Sequence, residues 1–215
     1  MRVCAFDFDH TLVRTPLDLA AMAADMRAHL EGEGVCLPPR EERYRVGELL
    51  RHCKETAPAL EAALWRLALE REERAMDAAT LEPGAIAAVA GARRLGFLTA
   101  VWTNNAGALT RAALGRLGLA DHFDVVVTRD EMRELKPHPD GWRVIAGHVD
   151  GRAAANPRTF MVGDSWVDGV AAAAAGVPFI AYRLSPADLV RWKIEPVATL
   201  TDLAALPRWL AGASG

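Results

Sequence analysis

Residues 4–13 read CAFDFDHTLV, and the two carboxylates at the end of this apolar run, Asp7 and Asp9, decide how the chain is read. Val3 to Phe8 has the character of a buried strand. Alternate strand residues point to opposite faces, so Asp7 and Asp9 share one face. Where the strand stops, both can project from its carboxyl end, which is where open α/β sheets build their sites. Two carboxylates this close repel: at ~4 Å and an effective dielectric of about 20 the cost is roughly 4 kcal/mol. A proton or a cation must relieve it, and either is chemistry. Taken alone, Asp-x-Asp-x-Thr is also what a strand end followed by a turn or helix cap looks like.

Outward from this stretch, short apolar runs recur at Phe97 to Thr103, Phe123 to Thr128, Thr159 to Gly163 and Pro178 to Tyr182. Helical patterns separate them, at about Pro83 to Leu95, Ala108 to Leu117, Pro139 to His148 and Val167 to Ala175. Gly96, Gly118 and Gly176 mark helix stops. Continuous apolar strands alternating with helices predict an α/β fold, a doubly wound, Rossmann-like parallel sheet covered on both faces. From about Pro16 to Thr80 the rhythm breaks. No strand-like run occurs there, and Pro38-Pro39 and Pro58 divide the segment into about three helices. Leu60, Leu64, Trp65, Leu67 and Ala68 keep an apolar face. The expected organisation is a core of residues 1–15 and 81–215 with an all-helical insert at 16–80.

A net charge of −3 over 215 residues points to neither a nucleic-acid nor a membrane-surface partner. No apolar stretch is long and charge-free enough to span a bilayer, and no leader precedes the first strand. Cys4, Cys36 and Cys53 lack the spacing of a zinc or redox site. A reduced, cytoplasmic protein is expected. Lysine occurs only at 54, 136 and 193 among many arginines, which draws attention to each.

Three further segments follow candidate strands and would converge in a doubly wound sheet. VWTNN supplies Thr103 and Asn104, ELKPHPD supplies Lys136, and FMVGDSWVD supplies Asp164 and Asp168. Each alone also fits a bland role: turn and cap residues, a solvated lysine, an N-cap with a first-turn acid. Together they form a specific kit. Carboxylates suit a hard cation such as Mg²⁺, which usually keeps several waters and a substrate phosphate. Thr103 and Lys136 can hold phosphate oxygens. A carboxylate nucleophile can form an aspartyl-phosphate, and a second carboxylate two residues on can serve as general acid and base.

In this order, DFDHT, TNN, KPHPD and GDSWVD resemble the four motifs of the haloacid dehalogenase-like superfamily. The helical insert resembles the cap of its phosphoglycolate phosphatase and β-phosphoglucomutase branch. The resemblance covers Met1 to Thr15 and Thr80 to Leu184; the insert matches only in position and helical character. It implies that Asp7 is nucleophile and metal ligand. Asp9 would protonate the leaving group and then activate water, its carbonyl binding the metal. Thr11 would support the first loop, Thr103 and the Asn104 backbone would hold the phosphoryl group, and Lys136 would neutralise Asp7 and phosphate. Asp164 would bind Mg²⁺ directly or through water, with Asp168 behind it. Many relatives have glycine where this chain has His10, so a side chain there would narrow the phosphate site or face the insert. Of the insert's arginines, Arg40, just after Pro38-Pro39, is the one expected to reach an anionic substrate. Trp166 reads equally as packing or as part of the entrance.

The expected activity is hydrolysis of a small phosphorylated metabolite through an aspartyl-phosphate, the insert closing over the core to exclude water. A phosphomutase on the same core remains open, since Asp9 serves both. A dehalogenase would need neither metal nor an acid at Asp9. A non-catalytic binding module would not need the full set. Substrate identity and oligomeric state are not readable.

Overall fold

The computed structural model describes residues 2–149 and 158–213. The expected core span of 81–215 therefore includes 150–157 and 214–215, and the resemblance begins at Met1; these residues lie outside the described ones.

Six parallel strands form the main sheet: β1 (Arg2–Phe6), β4 (Phe97–Trp102), β5 (Val125–Val127), β6 (Thr159–Gly163), β7 (Phe179–Tyr182) and β8 (Ala198–Leu200). Their order is β5-β4-β1-β6-β7-β8. The chain winds from β1 out to β4 and β5, then returns to β6 on the other side of β1. That reversal is the switch point at which such sheets bind ligands. Phe6 stands level with Val101 on one neighbour and Val162 on the other. The three central strands thus end together, and the next residues are Asp7, Thr103 and Asp164.

Val3 to Phe6 are wholly buried, as a strand covered on both faces must be. Val3 and Ala5 pack with Trp142 and Ile145 of α6 (Asp140–His148) and Ala171 and Ala172 of α7 (Trp166–Ala175). Phe6 meets Phe123 edge-on at 6.1 Å, and Phe160 meets Trp209 of α9 (Leu206–Gly212) at 5.2 Å. α4 (Ala85–Arg94), α5 (Gly107–Arg116) and α8 (Pro186–Trp192) complete the described helices of this unit. α7 begins at Ser165, whose side chain and that of Asp168 form a reciprocal capping box, and ends at Gly176 with φ 69°.

The expected strands and helices are present with ends shifted by one or two residues. One shift matters. The first strand stops at Phe6, not Phe8, because its neighbours end at the same level. Asp7 N still donates to Val162 O (2.9 Å), but beyond it the chain turns back, Leu12 N and Val13 N both donating to Phe8 O. His10 lies in the left-handed region at φ 55°, its N–H donating to Val13 O at 2.7 Å.

The chain divides into Met1–Thr15 with Ala79–Gly215, and Pro16–Ala78. The second crossing comes two residues earlier than expected from sequence. Thr80 is not part of the helical segment: β2 (Val13–Arg14) pairs antiparallel with β3 (Thr80–Leu81), Arg14 opposite Thr80. This two-stranded ribbon brackets the departure and the return of the chain. The other unit holds α1 (Leu19–Gly32), α2 (Val46–Thr56) and α3 (Glu61–Asp77). Asp18 caps α1 by accepting from Ala21 N at 2.9 Å. Met22, Met26 and Leu30 follow at helical spacing and pack with Leu49, Cys53, Leu64 and Ala68. Arg71 Nε binds Asp25 at 2.8 Å and ties α3 to α1. Among the described residues no helix is long and apolar enough to cross a membrane.

Candidate active site

Lys136 organises the charges. It follows β5 in a loop, is only 6% exposed, and its ammonium donates to Asp7 Oδ1 (2.6 Å), Asp168 Oδ1 (2.6 Å) and the Trp102 carbonyl (2.8 Å). An ammonium has three N–H donors, and all three are used. Neutralising charge, the role the resemblance implies for it, needs no further donor; direct hydrogen bonding to phosphate would require giving one up. Asn104 fixes the Lys136 backbone from both sides: Asn104 Nδ2 donates to the Lys136 carbonyl (3.0 Å) and Lys136 N donates to Asn104 Oδ1 (2.9 Å).

Asp168 is 1% exposed and fully engaged, since its second oxygen accepts from Ser165 N (3.1 Å) and Ser165 Oγ (2.8 Å). A β-carbon on Gly163 would lie 2.6 Å from the Asp168 carboxyl carbon, so only glycine lets the strand end so close to this helix. Thr11 Oγ1 donates to Asp164 Oδ1 at 3.3 Å and joins the first segment to the fourth. Asp7, Asp164 and Asp168 each bring a carboxylate oxygen to within 4.8 Å of the others.

These contacts shift the titrations in a consistent way. Burial pushes the Asp7 carboxyl well above the usual range; Asp168, Asp164 and Asp9 add to that, and Lys136 opposes it. Burial, reinforced by Asp168, pushes Asp164 up to about 7 against the opposing Lys136 charge. Burial alone would lower the Lys136 ammonium, but Asp168 and Asp7 outweigh it and raise it above its ordinary value. Asp9 is raised by burial, against hydrogen bonds from Thr15 and Asn105.

With all three ionised, the clustered carboxylates would share one buried cation and leave two negative charges over. That is the charge of one divalent ion, and an all-oxygen donor set suits a hard one. The residues present fit Mg²⁺, as an all-oxygen cluster whose ligand atoms lie within 4.8 Å of one another.

The structure brings together Asp7, Asp9, Thr11, Thr103, Asn104, Lys136, Asp164 and Asp168. Thr103 is buried at the end of β4, its N–H donating to Val127 O at 3.0 Å. His10 is exposed beside the first loop. Arg40 belongs to the helical unit, and its described partners are all there: Glu48 at 3.1 Å, Glu42 at 4.0 Å and the Tyr44 ring at 4.7 Å. Its charge is taken up locally. Trp166 is stacked on Trp192 at 3.9 Å, the packing alternative of its two readings. Three participants were not singled out from sequence: Thr15, Asn105 and Ser165. Asn105 sat in plain view beside Asn104, but nothing local ties it to Asp9, 96 residues away.

Residues 1–176 match the model of the haloacid dehalogenase-like hydrolase family. The chain belongs to that family. It is similar to the phosphoglycolate phosphatase of Chromobacterium violaceum (32% identical, spanning 94% of this chain and 96% of that protein). It is also similar to that of Rhodospirillum rubrum (30% identical, 95% and 89%). A match to the Rhodobacter capsulatus phosphoglycolate phosphatase, also 30% identical, spans 66% of that protein. Among solved structures, a hydrolase from Pseudomonas syringae shares the fold with a TM-score of 0.72 at 19% identity, covering 99% of each chain. CbbY from Rhodobacter sphaeroides, solved with phosphate, shares it with a TM-score of 0.66 at 22% identity, covering 95% of this chain and 96% of that one. Both structural likenesses extend over nearly the whole of this chain.

Proposed function

We propose that this family member is a Mg²⁺-dependent phosphatase of a small phosphomonoester that works through an aspartyl-phosphate on Asp7. The observation that carries the reading is the placement of Asp7: at the end of the central strand, one oxygen held by Lys136, the other open, and a proton-transfer group two residues on.

Asp7 and Asp164 would hold the ion, with the Asp9 carbonyl, and Asp168 would fix their surroundings through Lys136. Bound there, Mg²⁺ supplies positive charge to the phosphate oxygens and the two leftover carboxylate charges. One Asp7 oxygen attacks phosphorus while the other would hold the ion, and Lys136 favours the ionised carboxylate through its 2.6 Å contact. Thr103 and the Asn104 backbone hold the phosphoryl group in line. Asp9 gives its proton to the departing oxygen, then takes one from the water that cleaves the acyl-phosphate and frees inorganic phosphate. Such catalysis is positioning and charge stabilisation more than covalent novelty. Arg40, paired with Glu48 at 3.1 Å in the helical unit, is assigned no step here. The shared name of the relatives makes 2-phosphoglycolate the first ester to assay.

The test is phosphate release from 2-phosphoglycolate, sugar phosphates and nucleotides, with Mg²⁺ and with a chelator. Metal-dependent release that disappears in Asp7→Asn, with the melting curve kept, supports the reading. Release unaffected by chelation, or an isomerised sugar phosphate without free phosphate, refutes it.

A further inference from the structure

Asp9 is gripped from two sides. Thr15 Oγ1 donates to its Oδ1 at 2.8 Å, and Asn105 Nδ2 donates to its Oδ2. Asn105 is itself held in place. It is buried, its backbone N–H donates to Thr103 Oγ1 at 3.2 Å, and its carbonyl accepts from Arg129 N at 3.1 Å. A side chain whose own backbone is fixed at both polar groups can orient a neighbour with little further loss of freedom. This one residue touches both the hydroxyl that would hold the phosphoryl group and the carboxyl that would deliver the proton.

We propose that Asn105 is a positioning residue for proton delivery to the leaving oxygen: its amide fixes the Asp9 carboxyl relative to Thr103, and so relative to the scissile bond. The proposal rests on the phosphatase reading. In the step concerned, an Asp7 oxygen bonds to phosphorus while the bond from phosphorus to the leaving oxygen breaks, its electron pair staying on that oxygen. The Asp9 proton moves there, giving the alcohol and an Asp9 carboxylate. Asn105 presents an N–H to Asp9 and exchanges no proton. It acts by setting angle and distance, so its loss should matter in proportion to the leaving group's need for a proton. An alkoxide needs one; p-nitrophenolate departs with far less help.

The experiment compares kcat/KM of the parent and Asn105→Leu for glycerol 2-phosphate and p-nitrophenyl phosphate at saturating Mg²⁺. This quantity reports the steps through the first phosphoryl transfer when that transfer is effectively irreversible. The variant should lose on the order of 10–100-fold on the alkyl ester, about tenfold more than on the aryl ester. If Asn105→Leu does not accumulate as folded protein, Asn105→Ala carries the same comparison. Equal losses on the two esters, with an active parent, would show a merely structural residue and overturn this inference alone. If the parent hydrolyses neither ester, the best alkyl ester among 2-phosphoglycolate, the sugar phosphates and the nucleotides is compared with its aryl phosphate counterpart; a parent that releases phosphate from none of them would overturn the phosphatase reading and take the inference with it.

Discussion

Replacing Lys136 by methionine removes the one buried cation of the candidate site while keeping most of the stem beside Trp102. The ammonium makes two ion pairs of 2.6 Å, to Asp7 and Asp168, whose side chains are 11% and 1% exposed. At an effective dielectric of about 20, each pair is worth ~6 kcal/mol in Coulomb energy, but removing three charges from water costs several kcal/mol apiece. The intact arrangement therefore contributes little net stability. Its truncation is different, because Asp7 and Asp168 stay buried without their partner. Such one-sided removals cost roughly 3–5 kcal/mol, and in a chain of this length each kcal/mol lowers Tm by about 2–4 °C. The variant should melt roughly 6–20 °C below the parent at pH 8.

The pH dependence gives a second handle. Asp7 already titrates well above its ordinary value for reasons led by burial, and losing Lys136 removes the main opposing influence. A carboxyl whose folded pKa is raised contributes stability at low pH and loses it as pH rises through the folded pKa. The deficit of Lys136→Met should therefore shrink from pH 8 to pH 5 as Asp7 takes up a proton. Thermal unfolding across that range, without divalent metal, reads it directly. A Tm within about 2 °C of the parent at pH 8 would refute the reasoning, and so would a deficit that grows on acidification.

Two other perturbations follow from the same geometry. Asp164 titrates at about 7, raised chiefly by burial, so by the same sign rule it weakens the metal-free fold as pH rises from about 4 through 7. Asp164→Asn should stabilise the metal-free protein at pH 8 by on the order of 3 kcal/mol in urea unfolding while weakening Mg²⁺ binding in calorimetry; a destabilised variant would contradict this account. His10 sits at φ 55°, which valine tolerates poorly and glycine readily. His10→Val should cost roughly 1–3 kcal/mol and His10→Gly less than about 1, and equal costs in urea unfolding would show that the left-handed turn relaxes.

The central strands were legible because burial on both faces leaves no choice of residue: Val3 to Phe6 and Thr159 to Gly163 are apolar or small at every position. The polar residue that follows each of them then stood out. β8 was not legible. It is three residues at the edge of the sheet, Ala198 to Leu200, with Pro196 just before it, and nothing in so short a run separates strand from loop. The ribbon joining Arg14 to Thr80 was hidden for another reason: two residues on each side, 66 positions apart, leave no periodicity to read. The same holds inside the site. That Asp7, Asp9 and Lys136 matter could be read from residue type and order. That Lys136 spends all three donors, or that Asn105 reaches Asp9, depends on contacts that no local pattern encodes.

A second buried acid shows why the cluster around Asp7 is read as chemistry. Glu82, just after the ribbon, is only 3% exposed. Burial pushes its carboxyl up, but Arg14, Tyr182 and Arg183 outweigh this and hold it below its ordinary value. Arg14 binds it through two nitrogens at 2.6 and 3.1 Å, Tyr182 at 2.7 Å and Arg183 at 2.8 Å. One carboxylate thus receives two guanidinium groups and a hydroxyl, and nothing remains for a ligand to satisfy. Asp7, whose carboxyl burial pushes well above the usual range, has only half of one ammonium, since Asp168 takes the other half, and both Asp168 and Asp164 press on it. The fold can saturate a buried acid, as it does on the ribbon side of β7. At the ends of β1 and β6 it leaves acids under-compensated, a cost to the metal-free protein that, on the function proposed above, a bound cation and phosphate would offset together.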